Sequence, residues 1–132
     1  MIVLVLGETC VDKFVYCESN RLSPEAPVPV LNPIKTTINA GMAGNTAANV
    51  KALAPDSNIM YLMQDEDIIK TRYVEEKSNH MFIRVDEGEK SITPFKWTMA
   101  VDMMLGQADI VIVSDYNKGF LNEKILLEVA KH

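Results

Sequence analysis

Two uninterrupted apolar runs frame the chain. Ile2-Val3-Leu4-Val5-Leu6 ends in Gly7, and Ile110-Val111-Ile112-Val113 ends in Ser114-Asp115. Such runs suit strands covered on both faces, as in parallel sheets. Ile59 to Met63 is a weaker third run. Helical spacing fills the intervals. Ala43, Ala47, Val50 and Ala54 fall on one face, and Pro55 ends the pattern. Thr93 as cap, Pro94 as first residue and Gly106 as stop predict a helix with Phe95, Met99 and Met103 at helical spacing. A last helix is predicted from Asn122, with Leu121 and Leu126 placed as a hydrophobic staple and Ile125 and Val129 buried.

Two segments break this rhythm. Asp12 to Ile38 holds four of the six prolines and β-branched residues without helical period. Pro27 and Pro29 flank Val28 and keep the chain extended, on an edge at most. Ile69 to Val74 and His80 to Val85 read as strands of a hairpin around the polar turn Glu75 to Asn79. The predicted architecture is one α/β domain spanning 1–132. It has a central parallel sheet with flanking helices, and segments 12–38 and 69–86 are β excursions outside that core. Ligands of parallel sheets gather at the carboxyl ends of strands. Gly7 to Asp12 and Ser114 to Gly119 fall there.

Composition narrows the function classes. A chain of 132 residues with 48% apolar and 23% charged residues can bury one real core. The net charge of -5 argues against nucleic acid as a partner. No apolar run reaches the ~20 residues of a membrane span, and Met1 to Leu6 lacks a basic flank for a signal peptide. The expectation is a cytoplasmic protein with no membrane partner. Cys10 and Cys17 suggest neither a disulfide framework nor zinc, and His80 and His132 form no metal cluster, so no metal is expected.

One block is hard to explain by composition or period: Arg21-Leu22-Ser23-Pro24-Glu25-Ala26-Pro27-Val28-Pro29-Val30. It resembles the N-terminal signature of the PfkB/ribokinase-like carbohydrate kinases, and most closely those that phosphorylate heptose 7-phosphate. Further matches span nearly the whole chain. Val3 to Glu8 followed by Asp12 is similar to the family's first strand and sugar-binding aspartate. Gly41-Met42-Ala43-Gly44-Asn45 is similar to its glycine-glycine substrate loop, with Met42 in place of the second glycine. Lys70-Thr71-Arg72, the stretch Asn79 to Asp86, and Val113-Ser114-Asp115-Tyr116-Asn117-Lys118-Gly119 resemble heptose-kinase blocks. Two pieces of the pattern are not found. Between Met63 and Ile68 only Gln64-Asp65-Glu66-Asp67 stands where the family has a longer insertion. The family's nucleotide site, with its glycine-alanine-glycine-aspartate loop and general base, would follow His132.

The resemblance implies a shortened ribokinase-like α/β fold in which segments 12–38 and 69–86 form a β lid, and a sugar-phosphate site without phosphoryl transfer. It implies no catalytic residue and no bound cofactor. The candidate substrate-binding residues are Asp12, Gly41, Asn45 and Lys118. Each has a plainer reading. Asp12 suits a pair of sugar hydroxyls, or is a solvated loop carboxylate. Gly41 and Asn45 admit a sugar against the backbone, or simply begin a helix. Lys118 meets a phosphate, or sits in a solvated βα turn. Arg84 and Asp86 meet a phosphate or steady the lid, or form a cross-strand surface pair. The partners expected are a sugar phosphate, a second copy paired through the lid strands, or a complementing kinase half on another polypeptide.

Overall fold

β1 (Ile2–Gly7) divides the core in two. Side chains of a strand alternate between faces, so Leu4 and Leu6 point one way and Val3 and Val5 the other. The computed structural model describes residues 1–132. Leu4 and Leu6 meet Val101, Leu105, Phe120, Leu121 and Val129. Val3 and Val5 meet Ala43 and Ala47 of helix α1 (Ala43–Leu53), where small residues let the helix lie close to the sheet. β4 (Asn58–Leu62) and β7 (Ile110–Ser114) flank β1 in parallel, in the order β4-β1-β7. Helices α2 (Met99–Gln107) and α3 (Glu123–Val129) cover the Leu4 face.

A second sheet stands beside the first, in the order β3-β2-β5-β6. It contains β2 (Thr9–Glu18), β3 (Asn32–Met42), β5 (Ile69–Glu75) and β6 (Met81–Glu87). β2 pairs antiparallel with β3 and parallel with β5, and β5 forms the expected hairpin with β6. Both lid segments read from the sequence thus lie in one sheet, joined through β2 and β5. The strands reach further than expected, from Thr9 and up to Met42, so Asp12 is a strand residue rather than a loop residue.

Three expectations need correction. The helix expected from Pro94 begins only at Met99, because Thr98 rather than Thr93 caps it, accepting from the Val101 amide. Thr93 is instead tied to Glu66 through its amide and its hydroxyl. The buried residues of the helix are Val101 and Leu105, Met99 and Met103 are exposed, and Gly106 lies inside it. The second correction concerns β7. As an edge strand it is not covered like β1, and Ile110 and Val113 are each more than 40% exposed. The third is Arg84 and Asp86, which are two apart on one strand and not paired across strands. The last helix is as expected, with the Asn122 side chain accepting from Ile125.

The link from β4 to β5 is short, and Gln64 closes it. Its buried side-chain amide accepts from Thr9 N (2.9 Å) and donates to Thr9 O (2.8 Å) and Glu66 O (3.0 Å). A side chain here does what a neighbouring strand's backbone would do, satisfying both polar groups of Thr9.

Candidate functional site

The carboxyl end of β1 meets the root of the second sheet at Glu8. This residue is fully buried. Its carboxylate accepts from the amides of Tyr116 (2.9 Å), Lys118 (3.1 Å) and Phe120 (3.2 Å), while its carbonyl accepts from Ala43 N (2.9 Å). Three backbone donors satisfy the buried charge, as burial requires. Glu8 thereby fixes the loop after β7 and the start of α1 to one point.

A cleft of about 220 Å3 opens beside this point, walled by Asp12, Gly41, Asn45, Lys70, Arg72 and Tyr116. It is smaller than the ~300–1,000 Å3 of drug-sized sites, on the scale of a single sugar ring. Alternation and register explain the convergence. Asp12 and Lys70 are partners across β2 and β5, and Cys10 and Gly41 across β2 and β3, so all lie on one face. Arg72 donates to Asp12 Oδ1 at 2.5 Å and stacks over the Phe14 ring at 5.0 Å. Asp12 Oδ2 lies against Gly41, where any Cβ would collide with it and with Cys10 Sγ. Gly41 is therefore needed for close approach. Burial pushes the Cys10 thiol up, with Asp12 adding to the effect, so Cys10 is an apolar wall rather than a nucleophile.

Met42 follows with φ 55° and ψ -131°, a backbone state that favours glycine. Its side chain is buried with Cys10 and Ile68 beneath the cleft.

Of the four residues expected at the site, Asp12, Gly41 and Asn45 share the cleft wall. Lys118 does not; its ammonium turns to Glu89 Oε2 at 2.9 Å. Lys70 Nζ lies 2.9 Å from the other oxygen of the same carboxylate. Hydrogen bonds from Lys118 and Lys70 hold the Glu89 carboxyl below its usual range. Arg84 grips Asp86 with two bonds of 2.7 and 2.5 Å, which lowers the Asp86 carboxyl. Sequence reading gives Glu8 no role of its own, carries Tyr116, Lys70 and Arg72 only as parts of motifs, and does not single out Glu89. The period of two along β5 places Lys70 and Arg72 on one face, and could have found them.

A larger cleft of about 500 Å3 approaches β2 and β3 from Val11, Ile38 and Ala40, and its rim holds Asp65, Glu66 and Asp67 without any cation. It does not suit an anion. No group of His, Cys, Asp and Glu side chains is arranged to hold a metal ion.

No protein-family model matches the chain. It is 32% identical to the bifunctional protein HldE of Caulobacter vibrioides over 152 residues, covering 94% of this chain and 31% of that protein. It is 30% identical to HldE of Rhodopseudomonas palustris over 158 residues, covering 96% and 32%. A carbohydrate kinase from Agrobacterium tumefaciens superposes with a TM-score of 0.56 at 18% identity, over 85% of this chain and 44% of that one. A Staphylococcus aureus protein described as a phosphofructokinase gives 0.51 at 12% identity, over 99% and 49%. The chain thus resembles the HldE proteins in sequence and shares the fold of carbohydrate kinases of known structure. It spans about a third of the length of the curated relatives it matches. Since 94% of 132 residues is about 124, roughly 28 positions of the 152-position alignment have no residue in this chain. Motif reading places one such difference between Met63 and Ile68. No helix is long and apolar enough to cross a membrane.

Proposed function

We propose that this chain is a sugar-phosphate-binding relative of the heptose 7-phosphate kinases that does not transfer phosphoryl groups by itself. The observation that carries the reading is the cleft where Asp12, Gly41 and Asn45 meet Arg72 and Lys70. A carboxylate and an amide suit a polyol, and the Lys70 ammonium at the cleft's edge suits its phosphate. Phosphoryl transfer needs positioned phosphates, a metal and a base. Within these residues Gly41-Met42-Ala43-Gly44 is not a phosphate-cradling loop, and no aspartate follows a glycine-alanine-glycine turn.

Titration calorimetry tests this. Heptose 7-phosphate should bind and ATP should not, and Asp12→Ala should weaken the sugar phosphate at least about tenfold, the equivalent of about 1.4 kcal/mol. ATP turnover dependent on heptose 7-phosphate under Mg2+, surviving rigorous purification, would overturn the non-catalytic half of the proposal.

A second reading, a homodimer closed through the second sheet, rests on a separate observation. Ile34, Ile38, Met81, Ile83 and Val85 are all exposed on its strands. Apolar side chains in this number on one small sheet favour a covering partner, and twofold pairing of like surfaces is the commonest arrangement.

A further inference from the structure

Glu89 sits where an anionic ligand would be held. Its carboxylate bridges Lys70 of β5, in the second sheet, and Lys118 of the loop after β7, in the first. The two lysines approach from different elements, and both are largely withdrawn from solvent, with side chains 12% and 28% exposed. Lys70 also lines the cleft that holds Asp12. The site thus has two converging ammonium groups at the cleft's rim, and one carboxylate between them.

The charge balance is incomplete. Asp12 already neutralises Arg72. The lysines carry two positive charges and Glu89 returns one. A phosphomonoester carries about -1.5 to -2 at neutral pH and presents three acceptor oxygens, so it matches two ammonium groups better than a carboxylate does. Glu89 belongs to no strand or helix. It follows Gly88, whose φ is 82°, in a turn where the amide and hydroxyl of Ser91 donate to Gly88 O. The side chain can leave without unravelling a strand.

The geometry points to an anion seat formed by Lys70 and Lys118, occupied by Glu89 in the free protein and taken over by the phosphate of a phosphomonoester ligand. Glu89 is a built-in competitor that ties the two sheets together until that ligand displaces it. This deepens the sugar-phosphate reading and rests on it for the identity of the ligand, though not for the seat itself.

Inorganic phosphate is the first probe and unphosphorylated heptose the second, titrated into the wild-type chain and Glu89→Gln. Phosphate should bind Glu89→Gln at least tenfold more tightly than wild type, and adding Lys118→Met should abolish the gain. Heptose should bind both chains alike. Should Glu89→Gln fold poorly, phosphate titrated into the wild-type chain should still move the Glu89 side-chain carboxyl carbon resonance. Phosphate affinity unchanged by Glu89→Gln, or an unmoved Glu89 carboxyl at saturating phosphate, overturns the seat. Tighter phosphate with no heptose binding keeps the seat and defeats the sugar reading. Heptose binding with phosphate affinity unchanged does the reverse.

Discussion

Met42 holds a conformation that costs a non-glycine residue about 1–3 kcal/mol, yet its side chain is buried under the cleft. Removing the side chain and relaxing the backbone act in opposite directions. Met42→Ala loses the packing, roughly 2–5 kcal/mol, and keeps the strain. Met42→Gly loses the same packing and sheds the strain. The glycine variant should therefore be the more stable of the two by about 1 kcal/mol, the reverse of their usual order at a buried site. Urea unfolding of both variants decides it, and an alanine variant that is the more stable would refute the strain. Glu8 is the other decisive residue. Glu8→Ala leaves three buried amides without an acceptor, and should cost about 3–5 kcal/mol in the same assay, far more than an exposed carboxylate.

At the scale of elements, the tie between the two sheets should fail in acid. Glu89 is held below the ordinary glutamate value of 4.5 by Lys118 and Lys70. A depressed carboxyl stabilises the fold above its unfolded pKa, and that contribution is lost as pH falls through the folded value. Asp86, Glu66 and Glu75 are depressed as well, so the wild type alone cannot isolate the effect. The stability difference between wild type and Glu89→Gln should be present at pH 7 and shrink steadily below about pH 4.5. A difference that stays constant down to pH 3 would contradict the tie. The elements themselves were largely legible. β1, α1, the β5–β6 hairpin and α3 follow from apolar runs, helical spacing, proline and an asparagine cap. Helix α2 was misplaced because two threonines, Thr93 and Thr98, offer equivalent local caps, and only the tertiary bond from Thr93 to Glu66 decides between them. The joining of β2 to β5 was not legible, since residues about sixty apart carry no local signal of pairing. The same holds for the site. Asp12, Gly41 and Asn45 were found by motif, whereas Arg72 on Asp12 and Glu89 on Lys118 are set by register and loop placement.

For the whole molecule, two apolar surfaces bear on assembly: the β7 edge with Ile110 and Val113, and the exposed side chains of the second sheet. If the second sheet is the dimer surface, light scattering at micromolar concentration should give twice the 14.8 kDa chain mass, and Ile83→Asp should shift it toward monomer. A monodisperse wild-type monomer would remove that reading and leave the β7 edge as the place for a complementing chain. The cleft around Asp12 is independent of either result, because its walls come from β2, β3, β5, α1 and the loop after β7 of one chain. The most direct test of the account is amide chemical-shift mapping during titration with heptose 7-phosphate. Saturable shifts centred on Asp12, Gly41, Asn45, Arg72 and Tyr116 are expected, reduced in Asp12→Ala. Shifts centred instead on the acidic cleft around Asp65 to Asp67, or none at millimolar ligand, would contradict it.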